Sequence, residues 1–587
     1  MDENPLQEMP TTPKSGNPPL GPWRLGIVII SLCLGIFLLG LDQNIIGVAI
    51  PRITTEFRSL DDMAWYGSAY LLTITAFQPF FGNLYKYFNA KLVYLVSLVL
   101  FEVGSVICAS ANKSSILIFG RAFLGFGAAG LLQGALAIIG YVVRLDKVPL
   151  FQGVVVSSLG VSVSIGPVLG GVLTDRVSWR WCFWINVPIG VAVVVAIVLF
   201  VKINPSSNQV DHDLPLRTKL QQMDGVGTIL FLGAVVSLLL VLQWGGQTYP
   251  WSDSRCIGLF IGFGSIATAF GFWEWKQGDT AIIPFRILRK RSIHMGVLVL
   301  FALGMSSLTY TYYLPIYFQS AQGVSTTQSG VRFIALVLPQ IVGLVVVGAI
   351  VTQWGYYVPY MIFGVVVTSI GAGLLTTIGV STPTVQWAAY MVINGLGIGM
   401  AQQLPYTALQ AVLDPIDVPI GNAIAVFSYQ LGGAIAVAIG QNLLLTKLMM
   451  TVPRHTSVVT PQAVIAIGAT GLEKLAPTPE VLAALRSAYA EALRDPLILA
   501  LASALLAFPF SCAMERLNIK HVAEQRHQKQ AEADKDKPDV STRPPSPKED
   551  VQGHESNGVR EDGIEMVLDD NSNRLRMSIQ DIPLSET

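Results

Sequence analysis

Charge is scarce in this 587-residue chain: 13% of its residues are Asp, Glu, Lys or Arg, while 52% are hydrophobic. A typical soluble domain carries about 25% charged residues. With a mean hydropathy of +0.54, the deficit excludes an ordinary soluble fold and indicates a polytopic membrane protein. The charges that exist cancel, 38 basic against 38 acidic, which removes the overall basicity that nucleic acid demands. No Gly-Lys dipeptide occurs, so there is no P-loop lysine and this polypeptide is not itself a nucleotide-driven pump. Cysteine is sparse and scattered. Cys33, Cys108, Cys182, Cys256 and Cys512 form no Cys-x-x-Cys pair, which argues against a disulfide framework or a zinc site. No metal and no cofactor is expected, nor an enzyme activity. The first 20 residues lack the apolar core of a secretory signal, so the chain from Trp23 reads as a retained span with the amino terminus in the cytoplasm.

Apolar runs near the ~20 residues that cross a bilayer lie at about 24–50, 64–84, 92–111, 115–142, 149–173, 182–203, 224–243, 256–275, 294–318, 331–351, 357–379, 386–407, 420–446 and 496–514. The expectation is an all-α membrane protein of fourteen spans, both termini cytoplasmic. Lys86, Lys91, Arg144, Lys147 and the cluster Arg286, Arg289, Lys290 and Arg291 then fall in cytoplasmic loops, as the positive-inside rule requires. Arg52, Arg58, Arg176 and Arg180 fall outside and soften the bias. The connection 447–495 is the one long external loop, with amphipathic helical spacing at 461–469 and 481–493. External Asn112, in Asn112-Lys113-Ser114, is a glycosylation candidate squeezed between two spans. The tail 517–587 is charged and poor in aromatics, which predicts disorder; Ser546-Pro547 and Arg574–Ser578 are candidate phosphorylation segments.

The chain repeats itself. Gly82–Lys91 after the second span resembles Gly348–Tyr357 after the tenth, and Gly125–Ala129 resembles Gly395–Gly399, at offsets of 266 and 270 residues. The repeat leaves two spans outside it, giving six plus two plus six, a transporter design. The expected divisions are a disordered 1–23, a six-helix bundle 24–203, two extra helices with linkers 204–292, a second bundle 293–516, and the tail. Within the fifth span, Gly160 to Gly171 places Gly160, Gly166, Pro167, Gly170 and Gly171 where a helix built for stability would carry Leu or Ala. In a bilayer small residues permit close helix contact, and the expectation is a close contact between the two bundles.

Ionisable residues inside spans are expensive and are functional candidates. Asp42, in Leu41-Asp-Gln-Asn, is a carboxylate followed by two amides, read as a protonatable group or substrate contact facing a cavity, or as a carboxylate reached by interfacial water. Arg121 in the fourth span needs a partner or water, and pairs either with a functional carboxylate or as a structural charge. Glu102 in the third span is a lesser candidate, and Asp224 and Glu274 read as interfacial anchors. Asn44, Gln133, Tyr313, Gln340, Gln403 and Gln430 are cavity candidates among the uncharged polar groups. Apolar area with a few hydrogen-bonding points suits an amphipathic organic molecule. Such residues also serve as helix–helix glue.

Leu41–Pro51, Arg121–Gly127, Gly160–Gly171, Trp179–Gly190 and Tyr312–Gln319 together resemble the fourteen-span drug:proton antiporter branch of the major facilitator superfamily, in its fungal multidrug and toxin exporter form, over about 24–516. The resemblance implies the major facilitator fold and alternating access in a monomer, with substrate leaving as protons enter. It implies Asp42 as the proton-responsive carboxylate, Arg121 as an influence on coupling, and Gly166-Pro167 as the bend of the antiporter motif. The partners implied are a small-molecule substrate, protons and the lipid bilayer of the cell or vacuolar membrane. One departure stands out: the family's loop between spans two and three carries an aspartate and a following glycine where this chain has Lys86 and Asn89, which questions the family's cytoplasmic latch. The alternatives are a siderophore or amino-acid transporter of the same fold, or a membrane sensor that moves nothing.

Overall fold

Inside a bilayer every backbone N–H and C=O must be satisfied within the chain, which for runs this apolar leaves the helix. The computed structural model describes residues 21–58, 62–201, 216–221, 223–246, 249–468 and 471–535, and among these there is no strand, only two isolated bridges. The phosphorylation candidates lie outside the described residues.

Helix α1 (Pro22–Phe57) opens on proline, whose fixed φ suits a helix start. The next passage is split at Phe77 into α2 (Met63–Ala76) and α3 (Gln78–Tyr87), just ahead of Pro79. Asn89 begins α4 (Ala90–Ala109), its side-chain oxygen accepting from Lys91 N at 3.0 Å and Leu92 N at 3.3 Å. Then come α5 (Ser114–Val142), α6 (Val148–Arg176), the single turn α7 (Trp181–Trp184) and α8 (Asn186–Phe200). A short α9 (Leu216–Gln221) precedes the hairpin α10 (Gly225–Trp244) and α11 (Ser254–Gln277), and α12 (Phe285–Leu288) leads out of it. The chain continues through α13 (Arg291–Ser320), α14 (Thr326–Trp354) and α15 (Val358–Leu375). A second split passage, α16 (Thr384–Gln402) and α17 (Leu404–Val412), breaks at Gln403 ahead of Pro405. The last elements are α18 (Val418–His455), α19 (Pro461–Ile467), α20 (Leu472–Leu475), α21 (Pro479–Cys512) and α22 (Ile519–Lys535). Among the described residues, twelve helices are long and apolar enough to cross a membrane. The two remaining expected spans are the passages split ahead of a proline.

Packing repeats between the halves. In the first, α1 packs on α6 and α8, and α5 on α2 and α4; in the second, α13 packs on α18 and α21, and α16 on α14 and α15. The halves meet where α6 packs on α14 and α3 on α18, while α10 and α11 pack on each other and α10 touches α2 and α18.

Two expectations change. The long connection expected at 447–495 is shorter, because α18 runs on to His455 and α21 starts at Pro479. The amphipathic pieces are α19 and the first turns of α21. The tail is not structureless from 517: α22 docks through Arg526, which donates to the carbonyls of Gln410 (3.1 Å), Ala411 (2.8 Å) and Leu413 (2.7 Å). These are carbonyls that the end of α17 leaves unbonded.

Candidate functional site

The two charged outliers find each other. Arg121 on α5 donates from Nη1 to Asp42 Oδ2 on α1, and the two side chains are 1% and 0% exposed. Its Nε donates to the Tyr66 carbonyl at 2.7 Å, and its guanidinium lies 4.6 Å from the centroid of the Tyr70 ring. Asp42 Oδ1 has no hydrogen-bonding partner among the described residues. Glycines bring α5 tightly against α4. A Cβ at Gly127 would stand 2.5 Å from Phe101 N, and Gly104 leaves 2.7 Å to Leu124 Cα, so α4 and α5 touch backbone to backbone. Behind the pair, Asn186 donates to Ser105 Oγ at 2.9 Å, and Ser105 donates to the Phe183 carbonyl at 2.9 Å. Glu102 packs beside Gly190 with both carboxyl oxygens lacking a hydrogen bond among the described residues. It does not pair with a neighbouring helix.

Asp42 faces into the first bundle, and the cavity lies on the other side of α1. That cavity, about 140 Å³, lies between α1, α5, α6, α13, α14, α16, α17 and α18. Of the six candidates, Asn44, Gln340 and Gln430 line it. The other three do not. Gln133 Nε2 donates to the Pro419 carbonyl at 2.8 Å, Gln403 Nε2 donates to Gln152 Oε1 at 2.9 Å, and the Tyr313 hydroxyl donates to the Val437 carbonyl at 2.6 Å. Gln402 and Tyr429, two further uncharged polar residues read from the spans, line it as well, and the structure adds Gln43, Ser307, Thr311 and Tyr406. Gln43 was visible in the Asp-Gln-Asn run; Ser307 and Thr311 gave no signal beyond being polar in a span.

The glycine stretch divides its contacts, which corrects the expectation of an interface between bundles. A Cβ at Gly160 would meet Ile341 and Val337 of α14, each at 3.0 Å, across the halves. Gly166 and Gly170 instead face α1 of their own half, with Asn44 Cβ at 2.9 Å and the Ile45 carbonyl oxygen at 2.6 Å from the positions a Cβ would take. Pro167 lies inside α6, and the helix continues through Gly171 to Arg176.

Polar contacts across the halves gather at one end. Lys86 Nζ lies 3.4 Å from Asp417 Oδ1, and Arg286 Nη2 lies 2.9 Å from Asp417 Oδ2. The Asp417 side chain is 2% exposed and sits at the start of α18, where the helix dipole also favours an anion. A cross-half ion pair is therefore present: the last turn of α3 supplies the cation and the start of α18 supplies the acid. Gln133–Pro419 and Gln403–Gln152 join the same end. Here too Gly153 leaves room for the Leu344 carbonyl and Gly348 for the Pro149 carbonyl, each 2.8 Å or less from where a Cβ would stand.

Elsewhere, Asp224 caps α10, accepting from Gly227 N at 2.9 Å and from Trp273 Nε1 at 2.8 Å, and Glu274 accepts from Ile283 N at 2.9 Å. Both therefore secure the α10–α11 hairpin. Asn112 is exposed, whereas Ser114 of its sequon donates to Asp62 and accepts from the Tyr66 hydroxyl at 2.9 Å.

Comparison with known proteins agrees with this architecture. The sequence profile of the Major Facilitator Superfamily matches residues 32–437. The chain is 42% identical over 497 residues to an MFS-type efflux pump of Arthroderma benhamiae, covering 85% of this chain and 92% of the relative. It is 41% identical over 519 residues to the efflux pump roqT of Penicillium rubens, covering 88% and 96%. It is 43% identical over 455 residues to an aspyridones efflux protein of Neocamarosporium betae, covering 77% and 80%. With two packed helical halves enclosing a cavity and a family match across most of the chain, this multi-pass membrane protein belongs to the Major Facilitator Superfamily of transporters.

Proposed function

We propose that this transporter exports a small, largely apolar organic compound of the secondary-metabolite or toxin kind in exchange for protons, by alternating access. The observation that carries the reading is the cavity between the halves, closed at the end bearing Lys86, Asp417 and Arg286, with a buried Asp42–Arg121 pair on the far side of the same α1. Relatives named as efflux pumps support the direction. Counting the two split passages gives fourteen spans arranged six plus two plus six, and the excess of Lys and Arg at the closed end marks it as cytoplasmic. On this reading the conformer is shut toward the cytoplasm. Its cavity, at about 140 Å³, is smaller than the ~300–1,000 Å³ that drug-sized ligands occupy, so the halves must part to admit cargo. Asp42 exchanges its proton as the cycle turns, and Arg121 holds the carboxylate between exchanges.

Purified protein in liposomes tests this directly. Efflux of a lipophilic neutral dye should depend on an imposed pH gradient and stop when an ionophore collapses it. Flux indifferent to the gradient would remove proton exchange, and ligand binding without flux would remove transport.

A further inference from the structure

The cavity contains no charged side chain. Its lining carries no Asp, Glu, Lys, Arg or His, and its polar groups are carboxamides and hydroxyls. We propose that the cavity selects cargo that is electrically neutral and excludes permanent cations, with the carboxamides of Gln43, Gln340, Gln402 and Gln430 as its specificity-determining groups. The inference rests on the export reading above and names its substrate class.

The argument starts from the pitch of α1. Successive residues on a helix point about 100° apart, so Asp42 turns inward to Arg121 while Gln43 and Asn44 line the cavity. The one acid close to the cavity in sequence is thus fully buried and already neutralised. A cation entering the cavity would leave water and meet no carboxylate. The penalty for an unpaired ion in such a place is several kcal/mol even after relaxation. Cation–π contact with the Tyr406 and Tyr429 rings returns only part of that. A neutral molecule meets no such penalty, and each of its carbonyls or hydroxyls needs one partner.

The amides are arranged to supply those partners. Gln340 Nε2 donates to Gln402 Oε1 at 3.0 Å, and Asn44 Nδ2 donates to the Gly40 carbonyl at 2.7 Å. The Gln340–Gln402 bond fixes both side chains, Gln402 also hydrogen-bonds with Tyr429, and the Gln340 oxygen is left for cargo. A carboxamide offers donor and acceptor on one group, so the same lining can serve a ketone, an amide or an alcohol. This permits breadth among neutral compounds without admitting charged ones.

A matched pair of probes separates the possibilities: triphenylphosphine oxide, which is neutral, and tetraphenylphosphonium, a permanent cation of similar shape. In liposomes holding the full-length protein under a pH gradient, the oxide should be exported and the phosphonium moved about tenfold more slowly or worse, a difference of about 1.4 kcal/mol. Gln340→Glu should raise phosphonium efflux and lower that of the oxide. Gln430→Glu provides an independent second position should the first variant fail to fold. Equal export of both probes by the unaltered protein would overturn the neutral-cargo inference and leave the export reading intact. Failure of every neutral probe to move across the membrane would overturn the export reading itself.

Discussion

The sharpest consequence concerns Asp417, which two cations share in different ways. Arg286 lies on α12, in the segment that leads directly into α13 of the second half, and is 45% exposed, whereas Lys86 comes from the first half and is 9% exposed. Only the Lys86 contact must break when the closed end opens. At 3.4 Å and an effective dielectric of ~20, the attraction is about 5 kcal/mol. Lost hydration offsets much of that, leaving about 1.5–3 kcal/mol, typical of a hydrogen bond to a charged group. The exposed Arg286 contact adds at most about 1 kcal/mol and does not distinguish the states. Asp417→Ala should therefore raise the population open at that end by about tenfold to a hundredfold. A reporter is available in Val426, which lines the cavity and is 3% exposed. In a Val426→Cys protein with Cys33 and Cys512 replaced by serine, labelling by an impermeant thiol reagent applied from the Lys86 side should accelerate by that factor. Lys86→Ala should do the same, and the double variant should be no faster than either single change, because both remove one interaction. Strictly additive effects, or labelling unaffected by Asp417→Ala, would show that the pair does not hold this end closed.

Asp42→Asn should abolish pH-driven efflux and cost about 3–5 kcal/mol of stability, since it strands a buried guanidinium; undiminished gradient-driven flux in the folded variant would remove Asp42 from coupling. Gly166→Leu should stop turnover by forcing α1 from α6 at Asn44, and normal transport in that variant would reduce the contact to simple packing. At the opposite end from Lys86, Glu56 accepts from Trp179 Nε1 at 2.7 Å and lies 2.9 Å from Arg180 Nη2. Partial burial pushes this carboxyl up, and the hydrogen bonds and charge of Arg180 and Trp179 outweigh it, holding it below its ordinary value. Its contribution is thus present above the unfolded carboxyl's pKa of about 4.3 and is lost as pH falls through the lower folded value. Glu56→Gln should cost about 1 kcal/mol or less at neutral pH, given the exposure, and should flatten the acid limb of the melting-temperature profile; an unchanged limb would refute the assignment.

Span positions were legible because length and apolarity decide them, whereas the breaks at Phe77 and Gln403, just ahead of Pro79 and Pro405, emerge only in the structure. Asp42 and Arg121 stood out as costly residues, and the structure pairs them. Rotational phase was not legible. Gln133, Gln403 and Gln340 look alike as single glutamines in apolar runs, and a turn of about 100° per residue separates a cross-half clamp from a cavity wall. The same ambiguity hid the facing of Gly166, since small residues admit a close neighbour without naming which helix it is. Lys86 read as the loss of a latch because its acid lies 331 residues away in sequence, where no local pattern connects them.

The placement of Asp42 and Gln43 on different faces of α1, about 100° apart, has a consequence for inheritance. Substitutions at lining positions such as 43, 340 and 430 change the cavity wall without touching the Asp42–Arg121 pair. Under the proposed coupling, a lineage confronted with an unfamiliar compound can then explore new linings one substitution at a time without passing through an uncoupled ancestor.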